Sequence, residues 1–307
     1  MNGVLNIYKE KGCTSFWVVS RLRRLTGEKK AGHAGTLDPD ATGVLPVCLG
    51  KSTKLVDWLS DTDKEYRARM VFGASTDTQD ISGKVLEEIS PEEARSRLAC
   101  KENIIRAAEG FVGEIKQLPP MYSALKVGGV KLVDAAREGL EIERAPRTIN
   151  IYSISDMEVS EDLLSFSFTV SCSKGTYIRT LCSDIGQALN VPAALAKLER
   201  TRACGFGLED CYTLSEAEEY YNEGKLESLL IPPDKMLVRF DALTVKDEAL
   251  KRLYAGNRIY FRDFIKGQKL GKEGVCRMYG EDGTFFGLYS FDKEEKSYKC
   301  EKMFIDK

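Results

Sequence analysis

The chain has 307 residues, 43% of them hydrophobic and 30% charged, with a formal net charge of −2. That length exceeds one ordinary compact domain. No stretch approaches the roughly 20 apolar residues of a membrane helix, and the first residues lack the apolar segment of a secretory signal. A helical membrane protein and a secreted one are thereby excluded, and a globular cytoplasmic protein is expected.

In chain order, residues 3–8 read as a short buried strand. Thr14 and Ser15 then offer an N-cap for a helix over 16–25 that Gly27 terminates. Residues 30–43 hold three glycines, a proline and small polar residues, which predicts an irregular loop throughout. A strand over 44–49, a helix over 51–59 and a strand over 66–72 follow. Ser90, Pro91, Glu92 and Glu93 make a helix start, so 91–109 is expected to be one helix. Strands are expected over 149–159 and 164–172 and a helix over 177–189, while 195–201 is a shorter element of no decided type. Beyond Pro233 short strand-like pieces at 258–261, 274–279 and 283–291 alternate with turn glycines, as in a small β-rich module. The fold class is α+β with a β-rich C-terminal domain.

Nine cysteines are scattered with no C-x-x-C pair, which predicts reduced thiols rather than a disulfide framework. His33 is the sole histidine, so no zinc-ligand set is available and metal-free chemistry without a cofactor is expected. The near-neutral total conceals segregation. Arg21, Arg23, Arg24, Lys29 and Lys30 crowd the N-terminal region, and Lys116, Lys126, Lys131, Arg137, Arg144 and Arg147 punctuate the middle, while acidic residues gather elsewhere. Such a surface can present one positive face to phosphates.

The loop over 30–43 carries the carboxylate of Asp38 directly before Pro39, with Gly32, Gly35 and Gly43 allowing tight backbone bends. It is either a mere connection or a backbone shaped to aim that carboxylate into a pocket. The run from Gly32 through Leu37-Asp38-Pro39 to Pro46 resembles the signature loop of the TruB family of pseudouridine synthases. Further family-like blocks follow in order: Lys64 to Arg67, Thr76 to Asp80 with Gly83, Gln117 to Lys126, Ala136 to Gly139, Cys172 to Leu181, and Leu198 to Phe206.

The resemblance covers roughly residues 2–235 and implies a pseudouridine synthase fold, a mixed and mainly antiparallel sheet with flanking helices. It implies a catalytic domain over 1–235 with an RNA-contacting insertion at about 120–150, and a PUA-like RNA-binding domain over 240–307. The implied activity is isomerisation of uridine 55 in the tRNA T loop, with base flipping. The implied partner is the T arm of tRNA, with no DNA, no membrane and no obligatory protein partner, the enzyme acting as a monomer. Asp38 takes the place of the family's catalytic aspartate, Tyr66 that of the tyrosine that stacks on the base, and Arg179 that of the arginine paired with the aspartate. Attack at ribose C1′, attack at uracil C6 and an assisted glycal route all stay open for Asp38. His33 resembles the residue that fills the space of the extruded nucleotide. Lys9, Tyr122, Lys126, Arg137 and Tyr177 are the remaining expected substrate contacts.

Three positions depart from the family pattern: Glu10 stands where a proline is usual, Asp40 where a leucine is, and Val133 where a tyrosine is. Asp40 is expected to point away from the Asp38–Arg179 pair. Two other classes compete, an RNA-binding module without turnover and a guide-RNA-dependent scaffold subunit. The full Asp, Tyr and Arg set argues against the first, and the run Gly43 to Gly50 with the short tail against the second.

Overall fold

The computed structural model describes residues 1–271 and 273–305. The main sheet begins with β1 (Gly3–Lys9), β2 (Ala31–His33), β3 (Thr42–Leu49) and β4 (Lys64–Phe72). Two small hairpins, β5 (Ala74–Thr76) with β6 (Val85–Glu88) and β8 (Lys126–Val127) with β9 (Val130–Lys131), flank β7 (Gly113–Gln117). The sheet is completed by β10 (Arg147–Val159), β11 (Ser165–Cys172), β12 (Ala193–Ala203) and β13 (Phe206–Gly207). Its order is β1-β3-β12-β4-β11-β10-β7, with β2 and β13 at the side of β3 and β12. All pairs are antiparallel except β12 with β3, so the sheet is mixed and mainly antiparallel.

The apolar runs of β1 and β3 are nearly continuous because both faces of this part of the sheet are covered. Leu5, Ile7, Leu45, Val47 and Leu49 face α1 (Ser15–Thr26) on one side, packing with its Val18, Val19 and Leu22. Val4, Val44 and Cys48 face the other way. The N-cap of α1 forms as the sequence predicts: Thr14 Oγ1 accepts from the Trp17 N–H at 3.0 Å, and Gly27 ends the helix at φ 67°.

Several expected elements differ. The loop over 30–43 is not irregular throughout, since Ala31–His33 pairs with β3 as β2. Residues 50–60 are a 3-10 turn, Gly50–Leu55, leading into the short α2 (Val56–Ser60). The single helix expected over 91–109 is two, α3 (Pro91–Leu98) and α4 (Lys101–Glu109), divided where Ala99 takes φ 65°. The insertion contains a hairpin and α5 (Leu132–Arg137). After α6 (Ile178–Ala188), the undecided 195–201 stretch lies inside the eleven-residue β12, between β3 and β4 in the sheet.

Beyond α7 (Leu214–Asn222) a second sheet of five strands carries the C-terminal part: β14 (Asp241–Val245), β15 (Ile259–Tyr260) after α8 (Leu250–Ala255), β16 (Val275–Gly280), β17 (Phe285–Asp292) and β18 (Ser297–Met303). It has a core of its own around Leu243, Met278, Phe286 and Tyr298. It also shares one with the main sheet, because Leu288 and Phe304 pack in one cluster with Val4, Ala34, Val44 and Cys48. Among the described residues no helix is long and apolar enough to cross a membrane.

Candidate active site

Asp38 lies on the connection between β2 and β3, and almost every backbone acceptor around it is engaged. Arg200, 1% exposed, donates from Nη2 to Gly35 O at 3.1 Å, from Nη1 to Thr36 O at 3.5 Å and from Nε to Val44 O at 2.8 Å. Ser15 Oγ donates to Leu37 O and accepts from the Leu37 N–H, at 3.1 and 2.9 Å. Lys9 Nζ donates to Pro39 O at 3.0 Å and Ala41 O at 2.7 Å, and the Gly12 N–H also reaches Pro39 O, at 2.9 Å. A segment without regular structure is thus fixed by side chains that do the work of a ladder. The close parallel pairing of Gly43 with Arg200 requires glycine: its φ is 104°, and a Cβ there would sit 2.2 Å from Arg200 O.

Arg179 comes from the first turn of α6 and is 6% exposed at its side chain, against 42% for Asp38. Its Nε stands 3.0 Å from Asp38 Oδ2 and its Nη2 donates to Asp38 Oδ1 at 3.4 Å, a two-point grip. The remaining donors fix the guanidinium: Nη1 to Thr78 O at 3.0 Å and Nη2 to Tyr122 O at 2.8 Å. Asp80 Oδ2 lies farther off, 3.9 Å from Nη1. Desolvation pushes the Asp38 carboxyl above the usual aspartate range; the Arg179 charge opposes that, Asp80 adds to it and Lys9 opposes it.

A cavity of about 280 Å³ opens over this pair, lined by Asp38, Tyr66, Tyr177, Arg179, Leu198 and Arg200 among others. It is near the lower end of small-ligand pockets, ~300 Å³. Tyr66 enters it from β4, and burial holds its phenol above the ordinary tyrosine range. On the other side of Asp38 a second cavity of about 200 Å³ is lined by Lys11, Asp40, Asp80 and Ile81. Asp40 points outward, its Oδ1 3.9 Å from Lys11 Nζ.

The other expected contacts divide. Tyr177 lines the Asp38 cavity and has its backbone clamped by Gln117, whose Oε1 accepts from the Tyr177 N–H at 2.8 Å. Tyr122 donates from its hydroxyl to Asp77 Oδ2 at 3.3 Å, so only its carbonyl touches Arg179. Lys126 and Arg137 are exposed on the insertion, outside the lining of the cavity. His33 also lies outside that lining, two residues before Gly35, which is part of it. Burial and then the Arg200 charge lower its pKa, and its Nδ1 is buried with no hydrogen-bond partner among the described residues. Lys9 is buried, 0% exposed, and donates to three backbone carbonyls, of Glu10 at 3.0 Å, Pro39 at 3.0 Å and Ala41 at 2.7 Å.

Sequence reading passed over Arg200 and Asp80 as individual residues. Both lie inside quoted motif blocks; the 195–201 stretch had no decided type, so no local signal marked Arg200 as buried, where a guanidinium demands acceptors. Among the described residues no three His, Cys, Asp or Glu side chains converge as a metal site would require.

The comparisons with known proteins bear on the fold and the family. Over 99% of the chain, the fold resembles a chain in the crystal structure of a Cbf5–Nop10–Gar1 complex, with 28% identity, TM-score 0.70 and 85% of that chain covered. A chain in an H/ACA RNP bound to a substrate RNA containing 2′-deoxyuridine matches with TM-score 0.70 at 26% identity, over 99% of this chain and 85% of that one. These likenesses place the chain in the same fold class as those two chains. The family profile described as TruB family pseudouridylate synthase, N terminal domain, matches residues 23–178, and that described as tRNA pseudouridylate synthase B C-terminal domain matches 179–238. Relatives named tRNA pseudouridine synthase B include one from Clostridium perfringens (strain SM101), 42% identical with 100% of both chains covered. Another, from Clostridium tetani, is 43% identical over 99% of this chain and 100% of its own. The chain belongs to the TruB family of pseudouridylate synthases.

Proposed function

We propose that the chain isomerises a uridine of tRNA to pseudouridine, and that the uridine is position 55 of the T loop. The C1′–N1 bond breaks, the uracil turns, and C1′ bonds to C5; the C5 hydrogen leaves as a proton and N1 ends protonated, so no redox partner is required. The observation that carries the reading is the 3.0 Å contact of Arg179 Nε with Asp38 Oδ2 beside a base-sized cavity walled by Tyr66. Arg179 keeps the partly desolvated Asp38 carboxylate charged, which a group acting on a nucleoside as nucleophile needs. Tyr66 stacks on the uracil and relays the C5 proton, taking it up only as the phenol gives up its own, and Tyr177 borders the same space.

Reaching a base in a folded loop requires extrusion, which costs a few kcal/mol of lost stacking. His33 and the basic insertion with Lys126 and Arg137 are assigned to that step, filling the vacated stack and closing over the T arm. The C-terminal sheet serves as a PUA-like module that adds RNA affinity. Full-length identity to relatives named tRNA pseudouridine synthase B favours a stand-alone enzyme over a subunit of a guide-RNA complex.

The test is the purified chain alone on an unmodified tRNA transcript, with the modified position mapped. Pseudouridine at position 55 in wild type, and none with Asp38→Asn although the transcript still binds, is the expected result. Product in the Asp38→Asn reaction, or none from wild type without added proteins, overturns the reading.

A further inference from the structure

Helix α1 carries two large aromatic side chains in solvent, Phe16 at 67% and Trp17 at 51% exposure. Burying them costs nothing in core packing, because Ser15, Val18, Val19 and Leu22 already supply the inward face. The same helix has three arginines and no acidic residue in a chain of net charge −2. Arg21 Nε is held by Glu218 Oε1 at 2.7 Å, while Arg23 and Arg24 are exposed. At three, four and seven residues along the helix, Ser20, Arg23 and Arg24 share a side with Phe16 and Trp17.

The start of this helix is tied to the loop that carries Asp38. Ser15, the residue before Phe16, is bonded in both directions to Leu37, the residue before Asp38. Lys11, at the turn leading into the helix, lines the second cavity beside Asp38.

Resting on the function proposed above, we infer that the outer face of α1 is a second contact for the substrate RNA: Phe16 and Trp17 stack on unpaired bases next to the target, and Arg23 and Arg24 meet the adjoining phosphates. Exposed π faces beside guanidinium groups suit single-stranded RNA, whose splayed bases stack irrespective of sequence. Charge decides between occupants, because a second copy of this chain would bring the same arginines against their own kind.

The full-length chain with Trp58→Phe leaves Trp17 as its one tryptophan, and its emission is followed as an unmodified tRNA transcript is added. Quenching that saturates with binding is expected. Phe16→Ser/Trp17→Ser raises the KM for the transcript by at least about 5- to 160-fold, the range for loss of one stacked base, with the larger effect on KM than on kcat. Arg23→Ser/Arg24→Ser instead reduces the slope of log affinity against log salt by roughly one to two.

Unchanged Trp17 emission at saturating transcript, with both double variants binding as wild type, overturns the inference. A shift in sedimentation of the aromatic variant without any change in RNA binding assigns the face to self-association and overturns it as well. Failure of the function reading itself looks different, since wild type then makes no pseudouridine on the transcript.

Discussion

Replacing Arg179 by Met removes the two-point grip on Asp38 while keeping the length of an unbranched side chain. Each hydrogen bond to a charged group contributes ~1.5–3 kcal/mol. Because Asp38 is 42% exposed, the lower part of that range applies, ~1.5–2 kcal/mol for the pair. That free energy favours only the ionised carboxylate, so its loss changes the ratio of ionised to protonated Asp38 by about 10- to 30-fold. The sign follows from desolvation, which already holds this carboxyl above the usual range with Arg179 as the main opposing influence. Without the arginine, the acid limb of the pH–rate profile moves to higher pH, and activity recovers as the pH is raised. The assay is release of tritium from a C5-labelled transcript, one C5 hydrogen leaving per isomerisation. Thr78 O and Tyr122 O also lose their donor, so a melting curve must accompany the kinetics. An acid limb at the wild-type pH in a folded Arg179→Met enzyme would falsify the claim that Arg179 keeps Asp38 charged.

Tyr66→Phe keeps the ring in the cavity and loses the hydroxyl; single-turnover isomerisation is expected to slow by at least about 100-fold with tRNA binding retained, and near wild-type turnover removes Tyr66 from proton transfer. Asp184 has its pKa raised from 3.8 to about 6 by burial. The stability associated with its protonated form is present below about pH 4 and lost as pH rises through about 6, a ceiling of ~3 kcal/mol. Asp184→Asn is therefore expected to raise the melting temperature at pH 7.5 and to do little at pH 4, as calorimetry at the two values will register. Gly43→Ala places a methyl 2.2 Å from Arg200 O at a φ of 104°; it is expected to cost more than ~2 kcal/mol in urea unfolding and to lower kcat through displacement of the Asp38 loop. Asp40→Leu, at a side chain turned outward, is expected to leave kcat within about twofold of wild type.

The long apolar strands, the capped α1 and the order of the motif blocks were legible in the sequence because local signals and tertiary context agree there. Where they disagree, the reading stopped short. β12 carries Lys197, Glu199, Arg200 and Arg202 in eleven residues, a pattern resembling an exposed connection, yet it sits between β3 and β4. Its buried charge is tolerated because three carbonyls of the Asp38 loop and its flank accept from Arg200, and no local rule foresees acceptors 156 to 165 residues away. The burial of Lys9 was hidden for the same reason: its acceptors at Pro39 and Ala41 lie about thirty residues further along the chain. The break at Ala99 was hidden by good helix formers on both sides. Within the site, the Asp38–Arg179 pairing followed from family resemblance; the separation of Lys126, Arg137 and His33 from the cavity lining needed the structure.

One hydrophobic cluster holds Val4, Ala34 and Val44 together with Leu288 and Phe304, residues some 300 positions apart at its extremes. During synthesis the N-terminal strands emerge many seconds before β17 and β18, since translation adds roughly 5–20 residues per second. Until residues 285–304 leave the ribosome, the core that includes Ala34, just ahead of Asp38, lacks Leu288 and Phe304. The hydrophobic core shared by the two sheets is thus completed only after both have been made.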